Sequence, residues 1–204
     1  MGTTWSVQAV VPSGDLHAMV EPVLERIIAQ MSQWEPDSAL SRFNRSPSGA
    51  WRQIPPELSL VLGAALQVAE VSAGAFDPGM GALADLWGFG PAGPRPLPAA
   101  QAVAQALGGR IEHDAALLCA RRIGPAALDF SGIAKGYAVD AVAARLREQG
   151  LADFLVEIGG EFAGSGIRPD GQPWWVGRGP VPSAGLGALR VARHGLAGGP
   201  SGAF

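Results

Sequence analysis

The sequence predicts an α+β protein with a mostly antiparallel sheet and packed amphipathic helices. Three observations carry this. Helical and alternating hydrophobic patterns occur in separate runs rather than as repeated β-α-β units. Strand-like segments are short and bounded by Gly, Pro and Asp. Nearly half of the 204 residues, 48%, are hydrophobic, enough for a substantial core in one domain or two closely joined lobes.

Thr3 to Val11 alternates as a strand. Leu16, Met19, Val20, Val23, Leu24, Ile27, Ile28, Met31 and Trp34 then recur at i, i+3, i+4 spacing, which predicts a long helix with one buried face. Pro22 should start or kink it. Glu35 to Asn44 reads as a charge-mixed loop. Ile54-Pro55-Pro56-Glu57 opens a second helix through Leu58, Val61, Leu62, Ala65, Leu66 and Ala69, ended by Gly74. Phe76 to Pro98, rich in Gly and Pro, should be an ordered loop. Its Gly88-Phe-Gly90-Pro-Ala-Gly93 formally matches a dinucleotide-binding fingerprint, but Pro91, Pro94 and Pro96 forbid a helix opening there and no strand precedes it.

Pro98 to Leu107 reads as a short helix closed by Gly108-Gly109, and Leu117–Arg122 and Ala126–Phe130 as strands. Gly132 onward is a helix with Ile133, Tyr137, Ala141 and Val142 on one face, Ser131 as N-cap and Gly150 as stop. Phe154–Ile158 is a buried strand. Phe162–Ile167 and Trp174–Gly177 flank a hairpin turn at Pro169-Asp170-Gly171, and a last strand lies near Leu189–Ala192.

Composition narrows the function. The net charge is −3 with no basic run, which gives no support to a nucleic-acid surface. One cysteine, Cys119, excludes an internal disulfide, and its apolar neighbours predict a buried thiol. His17, His113 and His194 are scattered, without metal-ligand spacing, and His113 falls in a predicted loop. Ser131 lacks the Gly-x-Ser-x-Gly context of a hydrolase nucleophile. No apolar run reaches membrane-span length. Thr4 to Val10 opens directly as a strand with no signal peptide, so the expected location is cytoplasmic, or periplasmic or membrane-anchored if a leader was removed.

The chemistry concentrates at Leu128-Asp129-Phe130-Ser131-Gly132-Ile133-Ala134-Lys135. A carboxylate, a tight turn and a lysine fall within one helical turn. Unpaired N–H groups at a helix start, with a lysine one turn in, favour an anion such as a phosphorylated ligand. Taken alone, the segment is equally a plain strand-turn-helix with a solvated lysine.

It has company. Met1-Gly2-Thr3, Asp37-Ser38-Ala39-Leu40-Ser41-Arg42-Phe43-Asn44, Ala75-Phe76-Asp77-Pro78, Leu86-Trp87-Gly88-Phe89-Gly90 and Glu157-Ile158-Gly159-Gly160-Glu161 stand in register around it. In that order and spacing they resemble the FAD:protein FMN transferases, the ApbE family once named as thiamine-biosynthesis lipoproteins. The resemblance implies the same α+β fold, a single domain of that type over residues 1–204, and FAD as substrate with Mg²⁺. It implies transfer of FMN from FAD to a Thr or Ser hydroxyl of an acceptor flavoprotein subunit, with release of AMP.

By the same resemblance, Met1 matches a methionine that contacts FAD, and Trp34 falls where an aromatic residue meets the isoalloxazine. Trp34 also completes the apolar stripe of the first helix, so both roles are open to it. Ala75, Phe76 and Asp77 match the flavin-binding Ala-Phe-Asp, while Asp77 is equally an Asx-turn before Pro78. Asp129 and Lys135 match adenine-nucleotide contacts, and the Gly132 carbonyl matches one oxygen ligand of Mg²⁺. No residue is assigned as catalytic.

The resemblance also implies a carboxyl-terminal segment of roughly a hundred residues, with a His-x-x-Asp-Pro motif and an Ala-Asp-Ala-x-x-Thr motif completing the Mg²⁺ site. The tail, with Gly198-Gly199 where Thr-Ser-Gly is expected, and Gly177-Arg178-Gly179-Pro180 in place of an Asp-Pro ending, reads as the stretch before that segment. Three readings follow. The chain is a truncated or split form of the transferase, an FAD-binding protein without transfer activity, or an α+β protein with a vestigial site.

Overall fold

The computed structural model describes residues 3–10, 14–178, 189–193 and 197–198. Met1, His194 and much of the Gly- and Ala-rich tail lie outside the described residues. The described residues form two compact units, one of Arg26–Ala134 and one of those before Arg26 together with those from Lys135 onward. Each follows by itself.

In the second unit, strand β1 (Trp5–Ala9) pairs antiparallel with β5 (Phe154–Ile158), from Trp5 against Ile158 to Ala9 against Phe154. β5 also pairs antiparallel with β6 (Glu161–Ser165), which pairs with the short β9 (Ala197–Gly198). Phe154, Val156 and Ile158 point inward as alternation requires and are buried. Helix α1 (Leu16–Met31) buries Val20, Val23 and Leu24 in this part of its length. It runs through Pro22 rather than starting there. Helix α6 (Ala134–Glu148) buries Ala138, Val139, Val142, Ala143 and Leu146. The expected face is therefore rotated: Ile133, Tyr137 and Ala141 are its half-buried flank.

The turn at Pro169-Asp170-Gly171 forms, with the Arg168 N–H on the Gln172 carbonyl at 2.8 Å. The hairpin does not extend beyond one bridge, Ile167 to Pro173. Pro173 has no N–H to continue a ladder, and β7 (Trp174–Arg178) pairs instead with β8 (Leu189–Arg193).

In the first unit, α3 (Pro56–Val71) starts on its proline and buries Leu58, Val61, Leu62 and Ala65. Ser72 caps its end and Gly74, at φ +82°, breaks the chain away. A three-stranded antiparallel sheet has the order β2 (Arg52–Gln53), β4 (Cys119–Ile123), β3 (Arg110–Asp114). Cys119 is half-buried rather than buried, and His113 sits in β3 rather than in a loop.

Three expectations change here. The loop at 35–44 contains helix α2 (Ala39–Asn44), capped by Ser38. The Gly/Pro loop contains helix α4 (Gly81–Leu86) ahead of α5 (Ala100–Ala106). Both new helices are too short to show a period in sequence. Ala126–Phe130 is no strand, because its backbone partners are a neighbouring loop and one side-chain amide, leaving a single parallel bridge, Met80 to Ala127. No helix opens at the 88–93 glycines, in keeping with the rejected fingerprint.

Candidate functional site

Two distant loops of the first unit run side by side. The Asp129 N–H donates to the Pro78 carbonyl at 2.9 Å, the Ala127 N–H to Gly79 at 3.1 Å, and the Gly81 N–H to the Ala127 carbonyl at 2.8 Å. Gly81 makes this approach possible, since a Cβ there would meet the Ala127 and Leu128 carbonyl oxygens at 2.8 and 2.9 Å. The pairing brings Ala75, Phe76 and Asp77 beside Asp129 and Gly132. Phe76 is half-buried, and a Cβ on Gly132 would lie 3.0 Å from its ring.

Asp77 and Asp129 are used alike. Oδ1 of Asp77 accepts the Gly79 N–H at 2.7 Å, and Oδ1 of Asp129 accepts the Ser131 N–H at 2.7 Å. Each carboxylate closes a local turn. The Asx-turn expected at Asp77 is thus present, and it leaves an exposed side chain.

This changes the reading of the helix start. The Ser131 N–H is taken by Asp129, and the Ile133 and Ala134 N–H groups both go to the Phe130 carbonyl, at 3.0 and 2.8 Å. Those three amides are satisfied within the chain and do not form the open anion cradle that the sequence suggested. The Ser131 hydroxyl accepts from the Gln33 side-chain amide at 3.2 Å.

Trp34 lies beyond the end of α1 and is 50% exposed, so it does not complete that helix's buried stripe. It forms part of the wall of a cavity of about 500 Å³ within this unit, with Gln33, Ser41, Asn44, Asp85 and Leu128. Cavities of this order hold small organic ligands. Asp85 braces the loop beyond α4 by accepting from the Ala92 N–H and the Arg95 guanidinium, both at 3.1 Å.

In the second unit Lys135 stands in the first turn of α6, and its ammonium donates to the Gly159 carbonyl at 3.1 Å. Gly159 and Gly160, at φ +55° and +89°, form the two-residue loop between β5 and β6. A Cβ on Gly159 would meet Thr3 Oγ1 at 2.6 Å and Lys135 Cδ at 3.1 Å, so glycine is required for packing as well as for φ.

Titration shifts lie away from these residues. The Arg121 and Arg110 guanidiniums hold the Glu112 carboxyl below its usual range. Burial lowers the His113 imidazole, against a smaller opposing effect of Asp114, and its Nε2 lies 2.7 Å from Ser59 Oγ. Burial raises Asp140, partly offset by Arg147. Among the described residues no group of three or more His, Cys, Asp or Glu side chains could hold a metal ion, and no helix is long and apolar enough to cross a membrane.

The structure thus gathers Trp34, Ala75, Phe76, Asp77, Asp129 and Gly132 in one unit and sets Lys135 in the other, while Met1 lies outside the described residues. It also reveals Gln33, Asn44, Gly81 and Asp85 as parts of the same region. Asn44 stood in a recognisable motif; the others carried no local signal.

Residues 1–196 match the sequence model of the ApbE family. The FAD:protein FMN transferase of Vibrio cholerae serotype O1 is 35% identical over 186 residues, covering 86% of this chain and 55% of that protein. The protein of the same name from Haemophilus influenzae is 33% identical over 191 residues, with the same shares. Among solved structures, the apo flavinyl transferase ApbE of Pseudomonas stutzeri superposes with a TM-score of 0.79 at 35% identity, over 86% of this chain and 62% of that one. The flavin transferase ApbE from Vibrio cholerae gives 0.81 at 29% identity, over 94% and 64%. The chain therefore spans about half the length of the curated relatives it matches.

Proposed function

The chain belongs to the ApbE family, and from that premise we propose that it provides the FAD-holding part of an FAD:protein FMN transferase. The observation that carries this is the pairing of loop 78–81 with 127–129, which sets Phe76 and Asp77 beside Asp129 and Gly132 in the unit that also holds the Trp34-walled cavity. A flat apolar ring suits the exposed Trp34 face. Asp77 offers a fixed carboxylate to polar ring edges, Asp129 offers one to the adenosine side, and Lys135 offers a cation to a phosphate. Met1 is the remaining proposed FAD contact.

The transfer itself is attack of a Thr or Ser hydroxyl oxygen of an acceptor flavoprotein on the FMN-side phosphorus. The new P–O bond replaces the bond to the bridging oxygen, AMP leaves with that oxygen, and the hydroxyl proton is lost. Such reactions depend on positioning and on neutralising charge at the phosphoryl group.

Mg²⁺ is the family's expected partner for that charge. The described residues do not fit it unaided. Gly132 offers one backbone oxygen, whereas Mg²⁺ takes six oxygen ligands and is normally held by carboxylate as well.

The test is equilibrium dialysis against FAD and FMN, followed by incubation with FAD, Mg²⁺ and a threonine-containing acceptor domain. FAD should bind more tightly than FMN if Asp129 and Lys135 serve the adenylate half, as the resemblance implies. Equal affinity would refute the adenine-side assignment. Uptake of neither would favour a vestigial site. Binding without release of AMP or protein-bound flavin would identify an FAD-binding protein without transfer activity.

A further inference from the structure

Asp37-Ser38-Ala39-Leu40-Ser41-Arg42-Phe43-Asn44 stands out in the sequence, yet the reading above uses only Ser41 and Asn44, as cavity wall. In the structure it is the Ser38-capped helix α2, with Ser38, Ser41 and Asn44 at successive i, i+3 steps and therefore on one side. All three point polar groups at backbone.

Asn44 makes two bonds to one residue. Its Oδ1 accepts the Leu128 N–H at 2.7 Å and its Nδ2 donates to the Leu128 carbonyl at 2.8 Å. The side-chain amide imitates a neighbouring strand and satisfies both backbone groups of a fully buried residue. Asp129 is the next residue, and its own N–H is fixed to Pro78.

The amino-terminal end of α2 does the same for Trp34. The Ser38 and Ser41 hydroxyls donate to the Ser32 carbonyl at 2.5 and 3.2 Å, while Ser32 Oγ accepts the Trp34 N–H at 3.2 Å. Ser41 Oγ also lies 3.3 Å from the Gln33 carbonyl, which it can reach as donor. Ser32, Ser38 and Ser41 are buried, where unbonded hydroxyls would be costly, so these bonds hold the turn at Ser32–Trp34 against α2.

We infer that α2 is a positioning clamp: Ser38 and Ser41 fix the turn that presents Trp34, and Asn44 fixes the backbone that presents Asp129. One rigid element then sets the separation of an aromatic face and a carboxylate that come from segments nearly a hundred residues apart in the chain (Ser131 and Gln33, beside them, are separated by 98). Asn44 and Ser41 also line the Trp34 cavity, so the clamp shapes the space as well as its contacts. Asn44 acts through Asp129 and is a positioning residue. This inference rests on the FAD reading for its ligand, but not for its geometry.

The experiment uses the full chain with Asn44→Ala, Asn44→Asp, Asp129→Ala and the Asn44→Ala/Asp129→Ala double variant. Ligand-free amide exchange reads the geometry. In Asn44→Ala the Leu128 amide should exchange about tenfold or more faster while the α3 amides keep their protection. Asn44→Asp retains the acceptor for the Leu128 N–H but loses the donor to its carbonyl, so it should restore part of that protection, and it serves as a second variant if Asn44→Ala is unstable. FAD affinity reads the function. Asn44→Ala should bind FAD about tenfold more weakly, and should bring no further loss in the Asp129→Ala background. Unchanged Leu128 exchange, acceleration spread equally over α3, or fully additive affinity losses would each overturn the clamp. If the wild-type chain takes up no FAD, the FAD reading falls, and Leu128 exchange alone decides for or against the clamp.

Discussion

Replacing Asp77 separates a turn from a ligand contact. Its Oδ1 accepts the Gly79 N–H at 2.7 Å, and the side chain is exposed, so the bond competes with water. Asp77→Ala should therefore cost about 0.5–1.5 kcal/mol of stability, which is roughly 1–6 °C in melting temperature for a chain of this size. Asp77→Asn keeps an oxygen in the Oδ1 position and should stay within about 0.5 kcal/mol of wild type. Ligand binding should divide the variants differently. If the carboxylate bonds FAD, its loss removes a charged hydrogen bond of about 1.5–3 kcal/mol, and both variants should weaken FAD by roughly 10- to 150-fold. Urea denaturation without ligand and equilibrium dialysis with FAD give the two numbers independently. The reasoning is refuted if Asp77→Asn destabilises the chain as much as Asp77→Ala, or if both variants bind FAD like wild type.

Gly159→Ala should cost about 2–3 kcal/mol, from a left-handed φ imposed on alanine and loss of the Lys135 bond, with overlap against Thr3 adding to it; a urea-derived loss below about 0.5 kcal/mol would show that the loop simply moves. Leu62→Ala, at a fully buried position of α3, should cost about 2–5 kcal/mol in the same assay, and a near-neutral result would contradict its burial. Because His113 binds its proton less readily when folded, its contribution should be present above the ordinary histidine value of 6.5 and be lost as pH falls below it toward the lowered folded value. His113→Gln should flatten that part of the stability-versus-pH curve, and an unchanged slope would remove His113 as its source.

What the sequence disclosed depended on the length of each pattern. The stripe from Val20 to Met31 spans enough turns to fix α1, and Pro55-Pro56 and Gly74 bracket α3. Phe154–Ile158 alternates cleanly and is β5. Helices α2 and α4, of six residues each, are too short to show a period. Strand β3, Arg-Ile-Glu-His-Asp, is mostly charged because its face carries the Arg110–Glu112–Arg121 ion pairs rather than core. Ala126–Phe130 looked like a strand because its apolar residues are buried, but its backbone partners are a loop and the Asn44 side chain rather than a strand. Resemblance supplied Trp34, Asp77, Asp129 and Lys135. It did not supply Gln33 on Ser131 or Asn44 on Leu128, since pairings across 98 and 84 positions leave no mark in a single sequence.

The pairing of β1 with β5 has a consequence for biosynthesis. β1 is made before Arg26–Ala134, but its partner β5 is made only after that stretch has emerged. That intervening stretch is one continuous run with its own buried residues, so it can condense during translation. β1 meanwhile waits with unpaired N–H and C=O groups, a template for stray pairing with another nascent chain. Closing the sheet bridges a long interval of chain, the kind of late, non-local step that slows folding. The interleaving of the two units thus allows the clamp and the Asp129 turn to form while the strand-and-helix unit that holds Lys135 still awaits its later residues.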